Sequence, residues 1–147
     1  MSAKLEQILI KRMRRGPMDP VQSAQLVAGR GIVGNANQGG KRHVTLLEAE
    51  VWKDAVAALG ADLPPAARRA NFVVSGFALA KTRGRILAIG SCRIRIYGET
   101  KPCRLMNEIL PGLEAALHPD WRGGAFGEVM EGGEVRIGDV PRWIESA

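Results

Sequence analysis

Cysteine is scarce in this chain: Cys92 and Cys103 are the only two among 147 residues. Two thiols do not staple a domain of this length, and no CxxC or HxxxH spacing joins them with His43 and His118 into a closed zinc site. Aromatic residues are also sparse at 5%, with a single tyrosine. The basic run Lys11-Arg12-Met13-Arg14-Arg15 therefore lacks the interleaved rings on which single-stranded nucleic acid stacks. No uninterrupted apolar run approaches the roughly 18 residues of a membrane-spanning helix. The N-terminus, Met1-Ser2-Ala3-Lys4, shows no apolar segment ahead of a cleavage site, so a cytoplasmic location with reduced thiols is the expectation. The patterns GxxxxGK[ST], GxSxG and HExxH are all absent, which removes the commonest nucleotide, hydrolase and zinc-protease signatures.

What is present describes a folded chain. Hydrophobic residues make up 46% and charged residues 24%, the balance of an ordinary domain, and the length fits a single domain over residues 1–147. Lys+Arg outnumber Asp+Glu by 21 to 15, a formal net charge of +6 that suits an anionic partner without naming it. Leu5 to Met13 reads as a strand ending in the basic run and the Gly16-Pro17 breaker. The Asn- and Gly-rich stretch Asn35–Lys41 reads as a loop, followed by a strand at Arg42–Leu46. Leu47, Val51, Ala55, Ala58 and Leu59 then recur at helical spacing until Gly60. Pro64-Pro65 opens a short helical turn carrying Arg68 and Arg69. Strands follow at Phe72–Val74, Ile86–Ile89 and Arg93–Tyr97, the last alternating with a period of two. A helical region after Cys103 runs through Leu113–Leu117. Phe126–Met130 and Glu134–Ile137 flank Glu131-Gly132-Gly133 and read as a hairpin. The sum is a mainly β (α+β) fold, a barrel with two or three short helices.

Three places offer chemistry. Gly29-Arg30-Gly31-Ile32-Val33-Gly34 matches GxGxxG, but a polar loop follows it instead of a helix, which argues against a dinucleotide fold. Cys103 follows Pro102 at the entrance to a helical stretch, between Lys101 and Arg104. A positive field there favours thiolate, the form that ligates soft metals or carries transferable sulfur; the alternative is a structural thiol. Cys92, after Gly90-Ser91 on a strand edge, reads as packing. Arg68-Arg69-Ala70-Asn71 offers guanidinium forks for phosphate and an amide for a heterocycle edge. His43 and His118 read as packing or surface residues.

Taken in order, Gly29 to Gly34, the polar loop, Arg42-His43-Val44-Thr45-Leu46-Leu47-x-x-Glu50, Arg69-x-Asn71, Gly90, Thr100-x-x-Cys103, Gly123-Gly124 and Gly132-Gly133-x-x-x-x-Gly138-Asp139 resemble the MOSC domain. The domain is named for the C-terminal part of molybdenum-cofactor sulfurases, and the likeness is to its small free-standing bacterial form, over residues 5–143. It implies a barrel-type β fold and binding of the molybdenum cofactor, a phosphorylated pterin whose dithiolene holds the metal. By motif, Cys103 is implied as the metal ligand or persulfide carrier, and Arg69 and Asn71 as cofactor contacts. Thr100 and Lys101 are implied to reach the pterin or its phosphate. A sulfur-donating desulfurase or a molybdoenzyme is the implied partner, since the chain is too short to hold a pyridoxal phosphate domain of its own. Two other functions stay open: a small molybdenum oxidoreductase reducing N-hydroxylated compounds, and a basic anion- or nucleic-acid-binding module. The chain departs from the family pattern at Gly34-Asn35, where Gly-Asp is common, and at Arg42-His43, where Arg-Gln is common.

Overall fold

The computed structural model describes residues 2–144. β1 (Lys4–Lys11) pairs antiparallel with β2 (Met18–Val21) on one side and with β6 (Phe72–Ser75) on the other. β5 (Val44–Glu48) lies parallel to β6, and the ten-residue helix α1 (Ala49–Ala58) makes the crossover that a parallel pair requires. β7 (Ile86–Ile89), β8 (Cys92–Glu99), β9 (Ala125–Glu131) and β11 (Arg142–Ile144) complete an eight-stranded sheet in the order β11-β7-β8-β9-β5-β6-β1-β2. A second sheet holds β10 (Gly133–Arg136), β3 (Ser23–Val27) and β4 (Gly31–Ile32).

The mainly β class holds, but the large sheet does not close into a barrel. Its edges are β2 and β11, and the three-stranded sheet covers the interior, with Ala24, Leu26, Ile32 and Val135 joining Leu5, Ile8, Val44, Phe72, Ile94 and Ile96 in one core. β8 shows why its sequence alternates: Cys92, Ile94 and Ile96 are buried while Arg93 and Arg95 face water. A second cluster fixes the helices. Trp52, Ala55 and Val56 of α1 pack with Leu47, Met106, Leu113 and Leu117. The Trp52 Nε1–H donates to the Leu63 carbonyl at 2.9 Å, which satisfies the indole within that cluster.

Two readings of the sequence are corrected. The helical region after Cys103 is two short helices, α2 (Met106–Ile109) and α3 (Leu113–Leu117), separated by Pro111 and by Gly112 at φ +90°. The hairpin at Glu131-Gly132-Gly133 is a change of sheet. β9 pairs with β5 and β8, whereas β10 pairs with β3. A Cβ on Gly132 would lie 2.4 Å from the Leu26 carbonyl oxygen, so the chain crosses to the second sheet against backbone and only glycine fits. No helix among the described residues is long and apolar enough to cross a membrane.

Candidate functional site

Segments far apart in sequence meet where β1 ends, β6 begins and the β8–β9 connection crosses over. Lys11 closes β1, Arg42 precedes β5, and Arg68 and Arg69 end a 3-10 turn (Pro65–Arg68) just before β6. With Asn35, Thr45, Asn71, Thr100 and Gly123 they line a cavity of about 120 Å³. Four of the lining side chains are cationic, and no carboxylate is among them. Concentrated positive charge of this kind raises the local concentration of anions.

Each cation is placed by the backbone around it. Arg69 adopts a left-handed conformation at φ +67°, unusual for a non-glycine residue, and its Nη2 donates to the Gly16 carbonyl at 2.5 Å. Arg68 lies deeper. Its Nε donates to the Gly123 carbonyl at 3.0 Å and its Nη2 to the Thr100 carbonyl at 2.9 Å, so it clamps both ends of the β8–β9 connection. Burial pushes the Arg68 guanidinium below its ordinary range, while Cys103 lies close enough to oppose that shift and Arg42 close enough to add to it. Lys11 is also held below the usual lysine range, first by partial burial and then by Arg69, Arg14 and Arg42. Arg42 lies 4.8 Å over the Phe126 ring, and Phe126 stacks on Tyr97 at 5.7 Å, so two of the few aromatic residues serve as a platform for a cation of the site.

The residues expected from the sequence divide. Arg69, Asn71 and Thr100 line the cavity; Lys101 and Cys103 are exposed outside its lining. The Asn71 amide is fully engaged: Nδ2 donates to the Leu9 carbonyl and to Asn35 Oδ1, and Oδ1 accepts from the Thr45 N–H and Oγ1. It therefore holds the wall together and has no capacity left for a heterocycle edge. Thr100 is the converse. Its Oγ1 is buried and has no hydrogen-bond partner among the described residues. Cys103 does not sit on a helix terminus: α2 starts at Met106, is only four residues long, and closes its first turn on the Cys103 carbonyl at 2.9 Å.

Lys11 enters the sequence reading only as the first residue of a basic run, Asn35 as the start of the polar loop and Arg42 within the family motif; no local pattern brings the three together. Asn35 is buried, and its Oδ1 accepts the Lys11 N–H at 2.9 Å. An aspartate there would accept the same bonds but add a negative charge, so asparagine keeps the wall purely cationic. His43 is buried as a packing residue, with Nδ1 accepting the Val129 N–H at 2.9 Å and Nε2 facing the Gly40 carbonyl at 3.1 Å. His118 is exposed.

The two thiols are physically distinct. Cys92 is buried, and burial, then Asp139 and Glu131, push its thiol up to about 11. Cys103 is exposed. Titration with a disulfide reagent at pH 8 is expected to modify Cys103 alone in the native protein and both thiols in denaturant. Fast modification of both in native protein would contradict this placement.

The MOSC domain family model matches residues 33–141, a span that includes Arg42, Arg68, Arg69, Thr100 and Cys103. The chain belongs to the MOSC domain family. Its fold is similar to the crystal structure of the YuaD protein from Bacillus subtilis, with a TM-score of 0.82, 20% identity, and coverage of 100% of this chain and 98% of that one. YiiM from Escherichia coli is similar at a TM-score of 0.75 and 14% identity, over 98% of this chain and 71% of that one. YiiM from Geobacillus stearothermophilus gives 0.73 and 15%, over 97% and 75%. At these identities the likeness is one of fold. No curated protein matches the chain. The MOSC match begins after β1, so Lys11 and the β1–β2 turn lie outside it and join the site only through the fold.

Proposed function

We propose that this MOSC protein binds the molybdenum cofactor, with the cationic cavity taking the phosphate of the pterin and Cys103 acting at the sulfur or metal end. The observation that carries the reading is the cavity itself: Lys11, Arg42, Arg68 and Arg69 around one space with no carboxylate. The buried, unpartnered Thr100 Oγ1 supports it, because a buried hydroxyl without a partner suits a polar ligand group. Among the described residues no three His, Cys, Asp or Glu side chains converge on a metal-sized point. A metal held here would thus have to bring ligands of its own, as a dithiolene does.

When bound, the cofactor supplies a molybdenum centre and a pterin; the rest is work for the chain. Arg69 and Lys11 hold the phosphate by charge-assisted hydrogen bonds, and Arg42 is steadied over Phe126 for the same task. Arg68 gives Nε–H and one Nη2–H to the Gly123 and Thr100 carbonyls, so it fixes the Thr100 segment that leads to Cys103 while adding its field to the cavity. In the carrier version the Cys103 thiolate attacks the outer sulfur of a donor persulfide. The donor S–S bond breaks, a Cys103 persulfide forms, and the donor leaves as a thiolate. Exposure of Cys103, next to exposed Leu105 and Ile109, supports access by a desulfurase or molybdoenzyme partner.

Expression in a cofactor-producing host, followed by metal and pterin analysis and intact mass, tests the reading. Near-stoichiometric molybdenum, or a mass gain of one sulfur that reductant removes, is the expected result, absent in Cys103→Ser. Arg69→Ala is expected to lower pterin retention about tenfold, as loss of a charge-assisted phosphate contact should. Well-folded protein with neither signal would overturn the proposal.

A further inference from the structure

The cavity is rich in hydrogen-bond donors and poor in acceptors. Its cations come from three sides: Lys11 ends β1, Arg42 precedes β5, and Arg68 and Arg69 precede β6. A guanidinium carries five N–H donors. Arg68 gives one from Nε to the Gly123 carbonyl, one from Nη2 to the Thr100 carbonyl and one from Nη1 to Met106 Sδ, which leaves one on each terminal nitrogen. Arg69 gives one, from Nη2 to the Gly16 carbonyl. The side-chain oxygens of the wall, by contrast, are engaged. Asn35 Oδ1 accepts from the Lys11 N–H and from Asn71 Nδ2. Asn71 Oδ1 accepts from the Thr45 N–H and hydroxyl, and the Thr45 hydroxyl accepts the Asn71 N–H in return. Asn37 is exposed, and its amide offers N–H as readily as oxygen. No carboxylate, histidine or thiol lines the cavity among the described residues.

Thr100 stands apart from this wall. It is 8% exposed and lines the cavity, and its Oγ1 is buried with no hydrogen-bond partner among the described residues. A hydroxyl has one hydrogen to place, and an anion oxygen held by the surrounding cations is the acceptor that the wall does not offer it. An oxyanion that still carries a proton has the opposite need. Its own O–H requires an acceptor and would face N–H groups and positive charge. We infer that the cavity selects a tetrahedral oxyanion free of protons, the dianion of a phosphate monoester or of sulfate, and that the Thr100 hydroxyl donates to it. The inference rests on the proposed reading of the cavity as an anion site and narrows what that site accepts, but it needs neither molybdenum nor Cys103.

Calorimetry on the intact protein at fixed ionic strength, with sulfate and methyl phosphate as probes between pH 5 and pH 7, tests it. Sulfate holds no proton over that range. A phosphate monoester loses its second proton near pH ~6, so its dianion rises from about a tenth of the total to about nine-tenths. Methyl phosphate affinity is expected to rise about tenfold with pH while sulfate affinity stays within about twofold. Lys11 is the lining side chain whose proton is held less firmly than usual, and its loss would lower both affinities together, so sulfate controls for it. Thr100→Val should weaken both anions at pH 7 by about tenfold, the effect of a lost hydrogen bond to a charged group, and Thr100→Ser, which keeps the hydroxyl, should stay within about threefold. Since the wall gives that hydroxyl no partner, Thr100→Val is expected to keep or raise the urea unfolding midpoint. A marked fall in that midpoint would give the hydroxyl a structural role instead. Methyl phosphate affinity that ignores pH, or a Thr100→Val loss confined to the monoanion at pH 5, would overturn the inference, because the cavity would then accept a ligand proton. Equal binding of both ester forms leaves the cofactor reading standing and removes this one; preference for the dianion without molybdenum or sulfur on the protein does the reverse. Binding of neither anion removes the premise that the two share.

Discussion

Gly124→Ala is expected to destabilise the protein by about 4 kcal/mol or more, a large part of the roughly 5–15 kcal/mol that holds a domain folded. Gly124 precedes β9 at φ +104°, and a Cβ there would lie 2.2 Å from the Leu46 carbonyl oxygen. Leu46 is a β5 residue paired with Ala125, so neither backbone can give way without opening the β5–β9 ladder. The same methyl would press to 3.2 Å on Thr100 Oγ1, so the cavity wall is disturbed with the sheet. Gly84→Ala is the control. Its φ is +86°, but nothing lies within 4 Å of the added Cβ, and only the conformational penalty of about 1–2 kcal/mol remains. Urea unfolding midpoints of the two variants measure the difference directly. A similar loss in both would show that backbone conformation, not the approach of β5, governs Gly124.

Asn71→Ala should cost about 3 kcal/mol, since it strands several buried groups at once. The Asn71 side chain ties the Leu9 carbonyl of β1, Asn35 of the polar loop and Thr45 of β5 to the start of β6. Its loss frees the loop that carries Asn35, and Lys11 loses a fixed backbone partner with it. Phosphate affinity should therefore fall several-fold although Asn71 keeps no donor for the ligand. Asn71→Ala that unfolds like the unchanged protein while losing phosphate binding would reverse this, making Asn71 a direct contact.

Much of the molecule follows from patterns of short range. The period-two Arg93-Ile94-Arg95-Ile96 segment places arginines outside and isoleucines in the core, whatever its neighbours are. The spacing from Leu47 to Leu59 marks the helix but not its buried face: Trp52, Ala55 and Val56 pack with Met106, Leu113 and Leu117, while Ala58 is exposed and Leu47 belongs to β5. Cys92, read as packing from its place after Gly90-Ser91, is buried; the helix entrance expected at Cys103 is absent, since α2 starts at Met106, and its thiol is exposed. The Gly132-Gly133 crossing was not legible in that way. Two glycines beside strands are needed equally by a hairpin and by a chain passing close to the Leu26 carbonyl of another sheet.

The sequence by itself determined the mainly β class, the MOSC resemblance that the family match bears out, and the excess of positive charge. Strand and helix periodicity reside within a few residues, so one chain segment suffices to read them. Only the tertiary structure decided where the charge collects. Lys11, Arg42 and the Arg68-Arg69 pair come from three separate stretches, and nothing in any one of them announces the others. Sheet pairing brings them together: β1 and β5 flank β6, which sets the end of β1 beside the approaches to β5 and β6. Partial burial first, and then the like charges of Arg69, Arg14 and Arg42, hold the Lys11 ammonium below the usual lysine range. The fold thus gathers part of the net charge of +6, which has no location along the chain, around one cavity, and an anion there would relieve the repulsion.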